Sequence, residues 1–195
     1  QINIVNFVKL RDNNSTGTSI TANSFVNLQV TGSTSNATAV VLDTDTGSEA
    51  ADPDLKTLYV KYIDTGKVST TGNTEFTLGE ILTANTGTLT ANVATGTSST
   101  GFTTRVSISE GIVFAKDHFI RVEPQSIILG KYNTHSSFKI GLEVVESIVT
   151  DEQDTTLLDP ANGSYNYAAP GAARLKLTPT LKKYAPTANT GVNFV

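Results

Sequence analysis

The chain offers few side chains that could carry out acid–base or nucleophilic chemistry. It has no cysteine and two histidines, His118 and His135. Ser136 and Ser137 follow His135, but adjacent residues on a strand point to opposite faces and do not easily form a nucleophile–base pair. No G-x-S-x-G sequence is present to place a serine on a nucleophile elbow. We therefore interpret both histidines as partly solvated strand residues and predict no catalytic site.

A cluster of carboxylates is the strongest candidate for metal binding. Oxygen ligands at short spacing are what Ca²⁺ requires. However, the sixth position of the twelve-residue segment that starts at Asp43 is Ser48 instead of glycine, its last position is Asp instead of Glu, and no helices flank it. We predict a solvated acidic turn without a metal or other cofactor. The segment carries Asp43, Asp45, Glu49, Asp52 and Asp54.

A second acidic run, Asp151 to Asp154, could take part in glycoside hydrolysis only if another carboxylate lay across a cleft from it. The sequence shows no such partner. A glycan-cleaving enzyme therefore remains the least favoured alternative.

Length, charge and hydropathy exclude several classes of partner. The chain has 195 residues and a net charge of −4, so it lacks the clustered Lys and Arg that bind phosphate backbones. No apolar run approaches the roughly 20 residues that cross a bilayer. We predict no nucleic-acid partner and no membrane insertion. Because the sequence does not begin with Met, we expect it to be a piece of a longer protein.

Alternation of apolar and polar residues predicts strands throughout the chain. In FKIGLEVVESIV, residues 138 to 149, alternate apolar residues share one face. In RLKLTPTL, residues 174 to 181, Leu175 and Leu177 alternate with Arg174 and Lys176, and Pro179 favours an edge position. We predict that these two runs pair as an antiparallel hairpin with a long connection over residues 150 to 173.

Further strand candidates lie upstream, separated by turn-forming clusters of Thr, Ser, Gly, Asn and Asp. Their short length and regular spacing predict a mainly β protein, an antiparallel sandwich. Two Thr-rich segments echo each other and predict a small β-barrel-like module over residues 36–101, inserted into a body formed by residues 1–35 and 102–195. The candidates are NIVNFVKL, SFVNLQV, TAVVLDT, TLYVKYI, TEFTLGEIL, LTANVA, TTRVSIS and GIVFAKDHFIRVE.

The connection between the last two strands gathers tyrosines between two turn dipeptides. Asn162-Gly163 and Pro170-Gly171 predict a compact loop. Tyr165 and Tyr167 would face the same way on an extended segment, and a tyrosine ring with a polar tip suits a contact surface. The alternative is that these rings cap the end of the sandwich. The residues alone do not choose between the two.

The passage KIGLEVVESIVTDEQDTTLLDPANGSYNYAAPGAARLKLTPTL, Lys139 to Leu181, resembles a phage-associated domain of unknown function. This domain is found in virion structural proteins of contractile-tailed phages. The resemblance rests on the Gly-Leu-Glu strand, the TDEQDTTLLDPA passage and the GSYNYAAPGAARLKL loop and strand. It implies a structural role in a tail or baseplate and no enzyme activity.

Together these observations predict a virion structural protein of a phage tail, at the baseplate or the base of a fibre. It would be assembled in the host cytoplasm and would contact other copies of itself and other tail proteins. We expect Tyr165, Tyr167 and Pro170 to lie at the contact, with Arg174 bracing the loop. A carbohydrate-binding adhesin module, with a host glycan as partner, is the alternative.

Overall fold

The computed structural model describes residues 1–47, 56–64, 74–96, 98–134 and 137–188. Twelve strands and two short 3-10 helices, Ala22–Phe25 and Thr155–Leu157, make up its regular structure. The predicted mainly β, antiparallel fold is confirmed. The strands are β1 (Ile2–Lys9), β2 (Gln29–Gly32), β3 (Thr38–Asp45), β4 (Thr57–Asp64), β5 (Ile81–Ala84), β6 (Thr90–Asn92), β7 (Thr100–Ile108), β8 (Gly111–Ala115), β9 (His118–Val122), β10 (Gln125–Ile128), β11 (Lys139–Val149) and β12 (Arg174–Tyr184).

The chain divides into two compact units. The sheet unit comprises Ile2–Arg105 and Ile128–Ser136, and the ribbon unit comprises Gln1, Val106–Ile127 and Ser137–Val195. These units do not coincide with the expected boundaries, because β1 and β2 lie in the same sheet as β3 to β6. Strands β1 and β2 thus fold together with β3 to β6. The reason is that backbone pairing over long sequence separations, such as β1 with β4, leaves no mark on local sequence.

Eight strands form the main sheet, in the order β10-β7-β1-β4-β3-β2-β5-β6. Alternation in β4 explains how the sheet is covered on both sides: Leu58 and Val60 join the main core, whereas Tyr59 joins Val5 and Phe7 in a second cluster. Successive side chains of a strand point to opposite faces, so one strand supplies both clusters. The largest fully buried residues of the main core are Leu10, Phe25, Leu58, Leu82, Val8, Val30, Val41, Val60 and Val93.

This sheet curls on itself without forming a closed barrel. A single bridge joins Leu10, just after β1, to Val93, just after β6. Two backbone hydrogen bonds support it, from Arg11 N to Asn92 O at 2.9 Å and from Ala94 N to Lys9 O at 2.9 Å. The expectation of a separate barrel over residues 36–101 therefore needs correction, since β1 and β2 contribute to the curled sheet.

Glu80 is a buried carboxylate, 5 % exposed, that ties the β2–β3 turn to the loop before β5. Its Oε2 accepts hydrogen bonds from the N–H groups of Thr34 and Ser35, both at 2.9 Å. Its Oε1 accepts from Ser35 Oγ at 2.9 Å and from Thr77 N at 2.7 Å. A Cβ on Gly32 would lie 2.6 Å from Oε2, so β2 must end on glycine for the carboxylate to fit.

The ribbon unit is a small sandwich of two hairpins. Strands β11 and β12 pair along their full length, from Lys139 opposite Tyr184 to Val149 opposite Arg174, which confirms the predicted hairpin. The inner face of the β8–β9 hairpin packs on it. The two clusters between these layers contain Ala115, Ile120, Val122, Leu142, Val144 and Leu181 as buried members.

Three local expectations are wrong. GIVFAKDHFIRVE is not one strand but the hairpin β8–β9, which turns at Lys116 and Asp117 with φ of 51° and 62°. SFVNLQV begins in a 3-10 helix, and TEFTLGEIL contributes only its end to β5. Strand β10 was not anticipated. Within the described ranges, no helix is long and apolar enough to span a bilayer.

Candidate functional site

The β11–β12 ribbon carries the loop with the paired tyrosines away from its own core. Near its base, Leu142 and Val144 are buried. Towards the tip, Ile148 on the same face and the Leu175 opposite it are exposed, and Val145 is exposed on the other face of the ribbon. A two-stranded ribbon without a covering layer is only marginally stable in water. Leu177 still packs against the core that β11 shares with the β8–β9 hairpin, whereas Ile148 and Leu175, nearer the tip, form an exposed apolar pair.

An ion pair and a hydrogen bond strengthen the base of the ribbon. Lys182 on β12 pairs with Glu143 on β11, and Tyr184 Oη donates to Glu143 Oε1 at 2.9 Å. The hydrogen bond from Lys182, followed by that from Tyr184, lowers the pKa of the Glu143 carboxyl. The amide of Gln125 holds the free edge of β12: it donates to Pro179 O at 3.0 Å and accepts from Leu181 N at 2.7 Å.

The tip loop, residues 150–173, is folded by internal hydrogen bonds. Asp154 caps the 3-10 helix Thr155–Leu157 by accepting from Thr156 Oγ1 at 2.6 Å and Thr156 N at 3.0 Å. These two bonds, with a smaller effect of the Arg174 charge, lower the pKa of the Asp154 carboxyl.

A second set of contacts closes the tip loop at its neck. Leu158 bridges to Pro170, and Asp159 exchanges backbone hydrogen bonds with Ala168 and Ala169, both at 3.0 Å. Gly171 follows, where a Cβ would lie 2.2 Å from the Leu157 carbonyl oxygen. Only glycine fits there, which gives the Pro-Gly dipeptide a packing reason in addition to a turn reason.

The tyrosines project from this closed loop into solvent. Tyr165 is fully exposed and Tyr167 is more than half exposed. Pro170 and Arg174 are also exposed. This exposure argues against the alternative that the rings cap the sandwich, because a capping ring would lose most of its accessible surface. A shallow groove of about 420 Å³ lies beside Tyr167, lined by Thr155, Thr156, Leu158, Asp159, Pro160 and Ala168.

A model of one protein family, a domain of unknown function designated DUF4815, matches residues 26–194. The chain belongs to this family. The match includes the ribbon and the tip loop, whereas β1 of this DUF4815 protein lies outside the matched range and still pairs with β4 in the main sheet. No curated protein and no solved structure matches the chain.

The residues considered for chemistry in the DUF4815 chain are dispersed. His118 lies exposed on β9, with Nδ1 2.6 Å from the carbonyl oxygen of Lys116. Asp45 Oδ2 pairs with Lys131 at 3.2 Å, and Asp43 Oδ1 accepts from Thr44 N at 2.9 Å. In the part of the chain that the structure describes, no three acidic or histidine side chains are grouped as a metal site. His135, Ser136, Glu49, Asp52 and Asp54 lie outside the described residues.

Sequence reasoning missed an apolar surface on the outer face of the β8–β9 hairpin. Ile112, Phe114 and Phe119 are all exposed there. The sequence contains a signal for this surface. The residues that face the core have odd numbers, 113 and 115, before Lys116-Asp117, and even numbers, 120 and 122, after that dipeptide. Such a switch from odd to even positions across two polar residues is typical of a two-residue hairpin turn.

Proposed function

We propose that this protein is a structural component of a phage tail, at the baseplate or the base of a fibre, and that it acts through protein–protein contacts. Two lines support the proposal. The resemblance to virion structural proteins covers Lys139 to Leu181, which corresponds to the ribbon and its tip loop. That loop presents Tyr165 and Tyr167 to solvent on a closed scaffold. This exposed pair is the observation that carries the proposal.

The closed tip loop lowers the entropic cost of docking a partner. A loop that is already closed by hydrogen bonds loses little conformational entropy when a partner binds. Tyrosines buried at the centre of an interface each contribute on the order of 2 kcal/mol. The exposed Ile148 and Leu175, which lie opposite each other, extend the apolar surface along the ribbon. The partners on this proposal are other tail proteins or other copies of the chain, assembled in the host cytoplasm into the virion.

The test is a double substitution, Tyr165→Ser with Tyr167→Ser, in the phage that encodes the protein. The amount of the chain in purified particles should fall severalfold, while hydrogen exchange of the isolated chain stays as in the wild type. Asn166→Ser, between the two tyrosines, is the matched control and should incorporate normally. Normal incorporation of the double variant would refute the contact role of the loop, and Pro170 and Arg174 would lose their proposed place with it.

A carbohydrate-binding adhesin is the second candidate, because the groove beside Tyr167 is lined by polar threonines and Asp159. Tyrosine faces suit the apolar faces of sugars as well as protein surfaces. A glycan array separates the two: binding that is lost with Tyr167→Ser would favour the adhesin. Turnover of a polysaccharide that is lost on substitution of Asp151 or Asp154 would instead favour the glycan-cleaving enzyme.

A further inference from the structure

The outer face of the β8–β9 hairpin is a surface separate from the tip loop. Strand register places Phe114 opposite Phe119, and their ring centroids are 5.1 Å apart. Ile112 lies two residues before Phe114 on the same face, opposite Arg121. The inner face of the same hairpin is already occupied by Ala115, Ile120 and Val122 in the ribbon unit's own core.

The exposure of the three apolar side chains is unusually high for residues of a regular strand. Ile112 is 71 % exposed, Phe114 59 % and Phe119 81 %. With roughly 200 Å² for a fully exposed large side chain, they present roughly 400 Å² of contiguous apolar surface. A standard interface buries about 800 Å² on each partner, of which about 55–65 % is apolar, so roughly 450–520 Å². The patch therefore has nearly the apolar content of one side of a stable interface.

The cation on this face, Arg121, is already paired within the chain with two carboxylates. Arg121 Nη2 is 2.7 Å from Glu110 Oε1, and its Nε is 3.1 Å from Glu123 Oε1. A partner therefore needs no strongly basic or acidic surface to match this face. An apolar face of this area, with its arginine already paired at one end, can pack against a second copy of itself.

We infer that this face joins two copies of the chain, with the hairpins stacked face to face and the Phe114–Phe119 pairs at the centre. Face-to-face sheets pack about 10 Å apart with interdigitated side chains. A two-fold contact of this kind uses the same residues on both copies and closes at a dimer. The inference goes beyond the proposed function, because it concerns a different surface and does not require a tail partner.

Sedimentation equilibrium of the full chain tests the inference. The wild-type chain should form a reversible dimer, and Phe114→Ser with Phe119→Ser should weaken dimerisation by about tenfold or more. The control is Phe102→Ser on β7, which is 52 % exposed in the sheet unit and should leave the dimer unchanged. A wild-type chain that remains monomeric at about 100 µM would overturn the inference.

Cross-linking provides an independent readout, because the chain has no cysteine. F119C should give a covalent dimer with a short bismaleimide linker, and F102C should not. If dimerisation instead depends on Tyr165 and Tyr167, the copies meet at the tip loop: the inference is then wrong while the proposed contact role of the loop stands. If a monomeric chain binds anionic lipid vesicles through Phe114 and Phe119, the occupant is a membrane surface and the inference is also wrong.

Discussion

Substituting Glu80 tests the physical account of the sheet unit most directly. Its carboxylate accepts four hydrogen bonds, two of them from the buried Ser35. A hydrogen bond to a charged group contributes about 1.5–3 kcal/mol, and an unsatisfied buried donor costs about 1–3 kcal/mol. The four bonds share one carboxylate, so their contributions are not additive.

The variants Glu80→Gln and Glu80→Ala differ in how many hydrogen-bond acceptors remain at this site. In Glu80→Gln an amide NH₂ group replaces one of the two carboxylate oxygens. The better orientation places it at the Oε1 position, where Ser35 Oγ can accept but Thr77 N loses its acceptor. We expect a loss of about 2 kcal/mol from this one bond and the unsatisfied donor. Glu80→Ala removes both acceptor oxygens and all four hydrogen bonds, and should cost about 4 kcal/mol, a large part of a typical 5–15 kcal/mol total stability.

Hydrogen exchange read by mass spectrometry is the appropriate assay, because the chain has two compact units and a single unfolding midpoint would mix them. Exchange protection in β2, β5 and the turn at residues 33–36 should fall by about 30-fold in Glu80→Gln, which corresponds to about 2 kcal/mol. Peptides from β11 and β12 should be unaffected. Glu152→Gln, on the exposed part of the tip loop, is the control. If the opening free energy of this region in Glu80→Gln is within about 0.5 kcal/mol of the wild-type value, the carboxylate does not stabilise this turn.

Two further outcomes concern the ribbon unit. Gln125→Ala should lower the stability of the ribbon unit by about 1–2 kcal/mol, because two backbone groups of β12 lose their hydrogen-bond partners. Hydrogen exchange of β12 measures this loss. The control Gln153→Ala, in the exposed tip loop, should leave the exchange unchanged. The lowered pKa of Glu143 predicts a stabilisation that is fully present above the usual glutamate pKa and is lost as the pH falls through the lower folded value. In Lys182→Met, NMR titration should show the pKa of Glu143 rising towards its usual value, and an unchanged pKa would contradict the assigned cause.

The ribbon and its loop show how far local patterns reach. Alternation in residues 138–149 and 174–181 predicted the pairing of β11 with β12, because period-2 burial and strand pairing use the same backbone geometry. The hairpin β8–β9 was missed because its turn contains Lys116 and Asp117, both with positive φ, where glycine or asparagine is the usual signal. The expected domain boundary failed because it followed the linear order of composition, whereas β1 pairs with β4 about 50 residues away.

The amino-acid sequence by itself determined the mainly β class, the ribbon with its long loop, and the scarcity of groups suited to catalysis. These depend on neighbouring residues: alternation, turn dipeptides and residue types. Only the tertiary structure decided that Tyr165 is exposed, that Glu80 is clamped by a turn 45 residues away, and that Ile112, Phe114 and Phe119 share one uncovered face. Exposure and long-range hydrogen bonding depend on which segments pack together. The packing is decided by the total apolar surface that the whole chain buries, and no local pattern fixes it.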